Sequence, residues 1–283
     1  MKYFLPFVLI LLGLSFYKPN REIRFSPKLK PNSIYTMNYV AESKSIINFD
    51  GPKEILEKIK ANGTGLPLVE EIKKEFTVKT ITDSLDEDNM FGLRMEYEKI
   101  KIIKKINGKE EQIVSPLSGL VVIGKYTENN KIKIDSVISS YFDKQSKNIL
   151  KKMAEEIQNS IKFPDHPLKI GDEFEQKVPV NFPMEGLSQM KMMIISKYKL
   201  IEIKDDKAIF DIKQTLSLDS KTDKWEVHAS GVGGGIAVYD LKQTYIIRND
   251  TDLEMDMTVK LENLTMNGKS KTKIKQDIKI ERR

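Results

Sequence analysis

Leu253-Glu254-Met255-Asp256-Met257-Thr258-Val259-Lys260-Leu261 puts an apolar side chain at every second position and a charged or polar one between. Successive strand residues point to opposite faces, so this run reads as a β-strand with one dry face. The same period returns in Met190, Met192 and Ile194 with Tyr198 to Leu200, and in Ala208, Phe210, Ile212, Leu216 and Leu218. Earlier in the chain it runs through Phe76, Val78 and Thr80, and through Phe91, Leu93, Met95 and Tyr97. A further strand is expected from Ser33 to about Asn48. The turn signals between these runs, Ser84 to Asn89, Asn107-Gly108 and Glu128-Asn129-Asn130, predict antiparallel hairpins. In the last run Lys269, Lys271, Lys273, Lys275 and Lys279 share one parity while Ile274, Ile278 and Ile280 share the other. That pattern is expected of an edge or solvent-facing strand guarded against intermolecular pairing.

Two segments break the period of two. Asp50 and Pro52 can open a short helix near 52–61, with Ile55, Leu56 and Ile59 on one side and Asn62-Gly63 as its stop. Ser140-Tyr141-Phe142-Asp143 fits a capping box, and Ile149, Leu150, Met153, Ala154, Ile157 and Ile161 follow at helical spacing until Pro164. An amphipathic helix over 141–163 is predicted, because its aliphatic stripe favours docking on a sheet.

The chain also repeats itself in outline. Leu29-Lys30-Pro31-Asn32-Ser33-Ile34-Tyr35 resembles Leu168-Lys169-Ile170-Gly171-Asp172-Glu173-Phe174, and the strand pairs near Phe76 and Met90 parallel those near Tyr198 and Lys207. The expected organisation is a signal peptide (1–15), a lead-in (16–32), a first β repeat (33–140), the connecting helix (141–163) and a second β repeat (164–283). The fold class follows: mainly β (α+β), with two related antiparallel halves forming strongly curved sheets packed around a central amphipathic helix.

Residues 1–15 carry Lys2, an apolar stretch from Tyr3 to Leu14 and the small-x-small ending Gly13-Leu14-Ser15, which reads as an export signal. The apolar stretch is short for a membrane span, so no integral span is expected after cleavage. With Cys absent, disulfides, thiol nucleophiles and thiolate metal sites are all excluded. Lys and Arg exceed Asp and Glu by 47 to 41, but the signs are interspersed, which describes a solvated surface and not a nucleic-acid face.

The conspicuous local motifs favour structure over chemistry. Gly231-Val232-Gly233-Gly234-Gly235 is followed by the strand-like Ile236 to Asp240 and lacks a Gly-Lys-Ser/Thr, so it reads as a bulge or close chain crossing and not a phosphate loop. His166 and His228 are far apart, and no metal set or cofactor is expected from them. Asp83 to Asn89 lacks the glycine and closing glutamate of a calcium loop, and neither a Gly-x-Ser-x-Gly elbow nor a His-Glu-x-x-His helix occurs. Three Asn-x-Thr sequons stand at Asn62, Asn249 and Asn263. The methionines carry the remaining clue, since flexible thioethers suit surfaces that accommodate variable apolar ligands as well as ordinary cores. Met190, Met192, Met255 and Met257, with Phe210 and Ile157, are the candidate ligand-lining residues.

Pro164-Asp165-His166-Pro167-Leu168-Lys169-Ile170-Gly171-Asp172-Glu173-Phe174, with the later Gly231 to Gly235 and Tyr239-Asp240, resembles a group of uncharacterised exported β-rich proteins of Bacteroidota-type bacteria. The resemblance covers mainly the second half. It implies an envelope location, periplasmic or secreted, and a β architecture, but lends no catalytic residues. The functional expectation is a non-enzymatic envelope protein holding an apolar or amphipathic, lipid-like ligand between curved sheet and helix. The alternative is a structural or interaction module that meets an envelope protein partner and has a fully packed core.

Overall fold

The computed structural model describes residues 22–61, 65–160, 163–184, 187–221 and 225–283. The expected signal peptide lies outside the described residues. The elements run β1 (Ser33–Asp50), α1 (Lys53–Ala61), β2 (Leu68–Thr82), β3 (Phe91–Ile106), β4 (Lys109–Val114), β5 (Val121–Tyr126), β6 (Ile132–Ile138) and α2 (Lys144–Ser160). They continue with β7 (Glu173–Met184), β8 (Leu187–Lys204), β9 (Lys207–Lys221), β10 (Trp225–Asp240), β11 (Tyr245–Leu261) and β12 (Leu264–Arg282). The protein is mainly β, as its alternating runs predict, and all twelve strands join one antiparallel sheet in the order β6-β5-β3-β2-β1-β12-β11-β10-β9-β8-β7, with β4 added on β3.

β12 is therefore not an edge strand. It pairs with β1 along its whole length, from Ser33↔Arg282 to Asp50↔Thr265, and with β11 on its other side. The lysine parity does face outward, with the isoleucines half-buried on the opposite face. The expected Ser140 box is likewise displaced: Asp143 Oδ1 accepts the Ser146 N–H at 2.7 Å, so Asp143 caps α2 and the helix starts at Lys144.

One face of the sheet carries both hydrophobic clusters. The first gathers Leu200, Ala208, Phe210, Ile212, Ala237 and Tyr239, and the second Phe91, Leu93, Leu120, Val122, Tyr126, Ile132 and Ile134. The register places their strand members on the face of Tyr35 and Met37, here called inner, and at the sheet end where β1 begins. The segment ahead of β1 crosses this face. Phe25 is buried in the first cluster and Leu29 packs on the second. Four residues reach at most about 14 Å, whereas the five strand steps from β3 to β10 would span about 24 Å in a flat sheet. The sheet must curl about the segment. Backbone bonds fix it: Ile23 and Leu168 exchange N–H···O bonds of 2.9 and 2.8 Å, and Lys28 N–H donates to the Thr244 carbonyl at 3.1 Å.

The curl leaves the sheet unclosed, with β6 and β7 as its terminal strands, and α2 touches both. Glu155 on α2 accepts the backbone N–H of Ile134 at 2.6 Å, satisfying a donor on a terminal strand that no further strand pairs. The aliphatic stripe of α2 thus meets the sheet at Ala154, against the second cluster.

Candidate functional site

The inner face changes character along its strands. At the Tyr35 end it is packed: Phe210 meets Phe25 edge-on at 5.1 Å, and Phe163, Phe174, Tyr198 and Tyr239 complete the aromatic group. Toward the other end the register lines up Ile47, Gly268, Met257, Ala229, Leu218, Met192 and Val180 across seven strands. The next row is Ser45, Ser270, Met255, Gly231, Leu216, Ile194 and Val178. Met192, Met255 and Met257 all remain half-exposed. Glycine and alanine along the middle of these rows, flanked by long thioethers and leucines, make a shallow apolar trough.

The candidate lining residues therefore divide. Met192, Met255 and Met257 share the trough. Phe210 does not: it sits eight residues along β9 from Leu218, roughly 27 Å away at strand rise, inside the packed aromatic group. The side chains of Met190 and Ile157 lie outside the described residues. Gly231 to Gly235 prove to be strand residues of β10, and the register shift of that strand falls later, between Val238 and Tyr239. A Cβ at Gly233 or Gly235 would strike the carbonyl of Asp252 or Asp250 on β11, so the glycines permit a close strand approach. The same spacing leaves the trough floor low at Gly231, where Met255 and Leu216 flank the gap.

A polar band separates trough from core. Ser43, Thr272, Gln214, Ser196 and Gln176 share one row, and Gln214 Nε2–H donates to Ser196 Oγ at 3.0 Å. Level with Ala237 and Phe210 of the first cluster, Phe76, Tyr39, Gln276 and Asn249 share another. Tyr39 stacks on Phe76 at 4.5 Å, and burial pushes its phenol above the ordinary value. Asn249 Oδ1 is buried without a hydrogen-bond partner, and that inward position makes the Asn249 sequon unsuited to a glycan. Lys74 lies beside this row with its Nζ 5.3 Å from the Phe76 ring centroid.

The outer face is ionic. Asp250, Asp252, Glu254 and Asp256 on β11 stand opposite Lys275, Lys273, Lys271 and Lys269 on β12. Lys271–Glu254 closes at 2.7 Å and Lys269–Asp256 at 3.7 Å. β1 and β2 add Lys73–Glu42 at 3.6 Å and Lys44–Glu71 at 2.8 Å, although Lys44 itself faces Lys271 across β12, and the Lys44 bond holds the Glu71 carboxyl below its ordinary value. Such a face is unlike the apolar outward band of a transmembrane barrel. No helix among the described residues is long and apolar enough to cross a membrane.

His228 also faces outward, in an open groove of about 430 Å³ with Asn48, Asn267, Thr258 and Asp219. Its Nδ1 lies 2.5 Å from Asp219 and its Nε2 2.6 Å from Glu226, and these bonds, Glu226 first, raise its pKa. Among the described residues no three His, Asp or Glu side chains converge as a metal set. His166 is exposed in the turn before β7.

The chain matches no protein-family model and no curated protein. Among solved structures, the translocator domain of the autotransporter NalP from Neisseria meningitidis is similar over 87% of this chain and 88% of its own, at 8% identity and a TM-score of 0.21. OccK11 (OpdR) of Pseudomonas aeruginosa is similar over 86% of this chain and 96% of its own, at 7% identity and a TM-score of 0.22. Likeness at these scores carries no argument.

Proposed function

We propose that this is a non-enzymatic, exported envelope protein that holds an apolar or amphipathic ligand on the inner face of its curled sheet, beside α2. The observation that carries the reading is the pair of apolar rows through Met257 and Met255, half-exposed on the inner face while the outer face of the same strands is ionic. Burying a large aliphatic or thioether side chain contributes about 1.5–3 kcal/mol, so a ligand covering several of them gains enough to bind. Methionine suits the task because its unbranched thioether repacks around different chains. The export signal and the resemblance to exported β-rich proteins of Bacteroidota-type bacteria support an envelope location.

The two-half organisation belongs to the same reading. Asn32 and Gly171, matched in the two repeats, both adopt positive φ, 51° and 100°. Leu93 and Phe210, matched two strands later, are each 2% exposed and occupy the two clusters. A duplicated sheet closed by one connecting helix explains why α2 meets a strand from each half.

A second reading, an interaction module with a filled core, is favoured by the aromatic packing around Phe210. Native mass spectrometry of protein purified from its own host's envelope separates the two. A stoichiometric hydrophobic adduct is expected. A clean apo mass with a copurifying protein overturns the carrier reading.

A further inference from the structure

We infer that the ligand is an anionic amphiphile with a single acyl chain, whose acid head is recognised by Lys74 on the inner face while its chain runs toward Met255. The inference rests on the carrier reading and adds the chemistry of the head group.

Lys74 is half-buried, and among the described residues no carboxylate lies within ion-pair reach of it. This separates it from the lysines around it. Lys73, one residue earlier and on the outer face, is held by Glu75 at 2.9 Å and Glu42 at 3.6 Å. Lys104, the other inner-face lysine of this region, pairs with Glu70. Of these three ammonium groups only that of Lys74 has no carboxylate beside it among the described residues, and it lies 5.3 Å from the Phe76 ring centroid, a cation–π contact that leaves it able to take an anion.

The surroundings fit an acid head. Tyr39, stacked on Phe76, keeps a protonated phenol as a donor. From Lys74 the register steps through Ala41 and Ile274 and then diagonally to Leu253 and Met255. Three strand spacings and four residues of rise give roughly 20 Å, a length suited to a long acyl chain. One lysine matches one negative charge, which selects a monoanion such as a long-chain carboxylate, ionised at neutral pH.

The test compares palmitate with methyl palmitate, which keeps the chain and removes the charge, by isothermal titration calorimetry on the delipidated full chain. Wild type should bind palmitate at least about tenfold more tightly, equivalent to about 1.4 kcal/mol. Lys74→Met should bring palmitate down to the ester's affinity, Lys74→Arg should keep the preference, and Lys73→Met should leave it unchanged. In wild type alone, added salt should weaken palmitate and leave the ester unaffected, a readout that survives if a variant fails to fold. Equal binding of the two probes, or a preference that Lys74→Met leaves intact, overturns the head-group assignment while the carrier reading stands. Binding of neither probe overturns both, and sedimentation as a dimer in that case would place a second copy of the chain over the trough.

Discussion

Phe25 offers a direct measure of how the segment before β1 is anchored. The ring is 2% exposed, and it lies 5.1 Å from both Phe210 and Tyr239 in edge-on geometry. Truncating such a ring removes its burial, leaves a cavity and deletes two aromatic pairs, so Phe25→Ala should cost about 4 kcal/mol, inside the usual range for buried Phe→Ala changes. At about 2–4 °C per kcal/mol for a chain of this size, the melting temperature should fall by roughly 8–16 °C. Phe49→Ala is the control, because Phe49 is only half-buried on the same face at the opposite sheet end. Its loss should be nearer 1 kcal/mol. Urea unfolding of both variants, followed by tryptophan fluorescence and far-UV circular dichroism, gives the two values. A cost below about 1 kcal/mol for Phe25→Ala would refute the picture of a sheet curled around a docked segment, as would equal costs for the two variants.

Other expectations follow from the same geometry. Gly235→Val should drive its side chain into the Asp250 carbonyl and part β10 from β11, leaving little folded soluble protein, whereas Ser230→Val on the exposed outer face should be tolerated. An NMR titration should place the His228 pKa above 6.5, and both Asp219→Asn and Glu226→Gln should lower it. Because the folded value is the raised one, the stabilisation from protonated His228 is complete below pH 6.5 and is lost as pH rises through the folded pKa, which thermal melts of wild type and His228→Asn will report. Burial pushes Tyr239 and Tyr245 up to about 12, so part of the phenolate absorbance should appear only near that pH, with stability declining between pH 10 and 12 as unfolded chains ionise first. Reversing Glu254→Lys should destabilise the outer face, Lys271→Glu in the same chain should restore it, and salt should shrink both effects.

Local periodicity made the strands legible. Leu253 to Leu261 alternates because one face of β11 is covered and the other is wet, and that covering acts on each residue separately. Asn107-Gly108 was equally readable, since both residues take positive φ, 47° and 84°, a conformation few other residues adopt cheaply. Pairing partners were harder. Nothing in the local pattern of β12 distinguishes a guarded edge from a central strand whose lysines meet the carboxylates of β11. The spaced acids at Asp250, Asp252, Glu254 and Asp256 against Lys269 to Lys275 were a usable signal, because opposite charges directly across a ladder stabilise one register. The trough was half-visible: alternation assigned Met192, Met255 and Met257 to dry faces, but only the register puts Met192 and Met257 on one row and carries Phe210 away from them. Lys74 shares the parity of Phe76 and Val78, so its face is readable, but the lack of a carboxylate beside it depends on which residues the ladders on either side of β2 bring alongside.

The pairing of β1 with β12 also governs how the molecule can come into being. Ser33 must find Arg282, so the central ladder joins nearly the first and last described positions, and the loop-closure entropy is met before that ladder contributes anything. Folding should be slow, with a rate limited by this long-range encounter. During synthesis β1 has only β2 to lean on until the final strand emerges. A chain so arranged keeps its central ladder open for as long as its C-terminal strand is withheld.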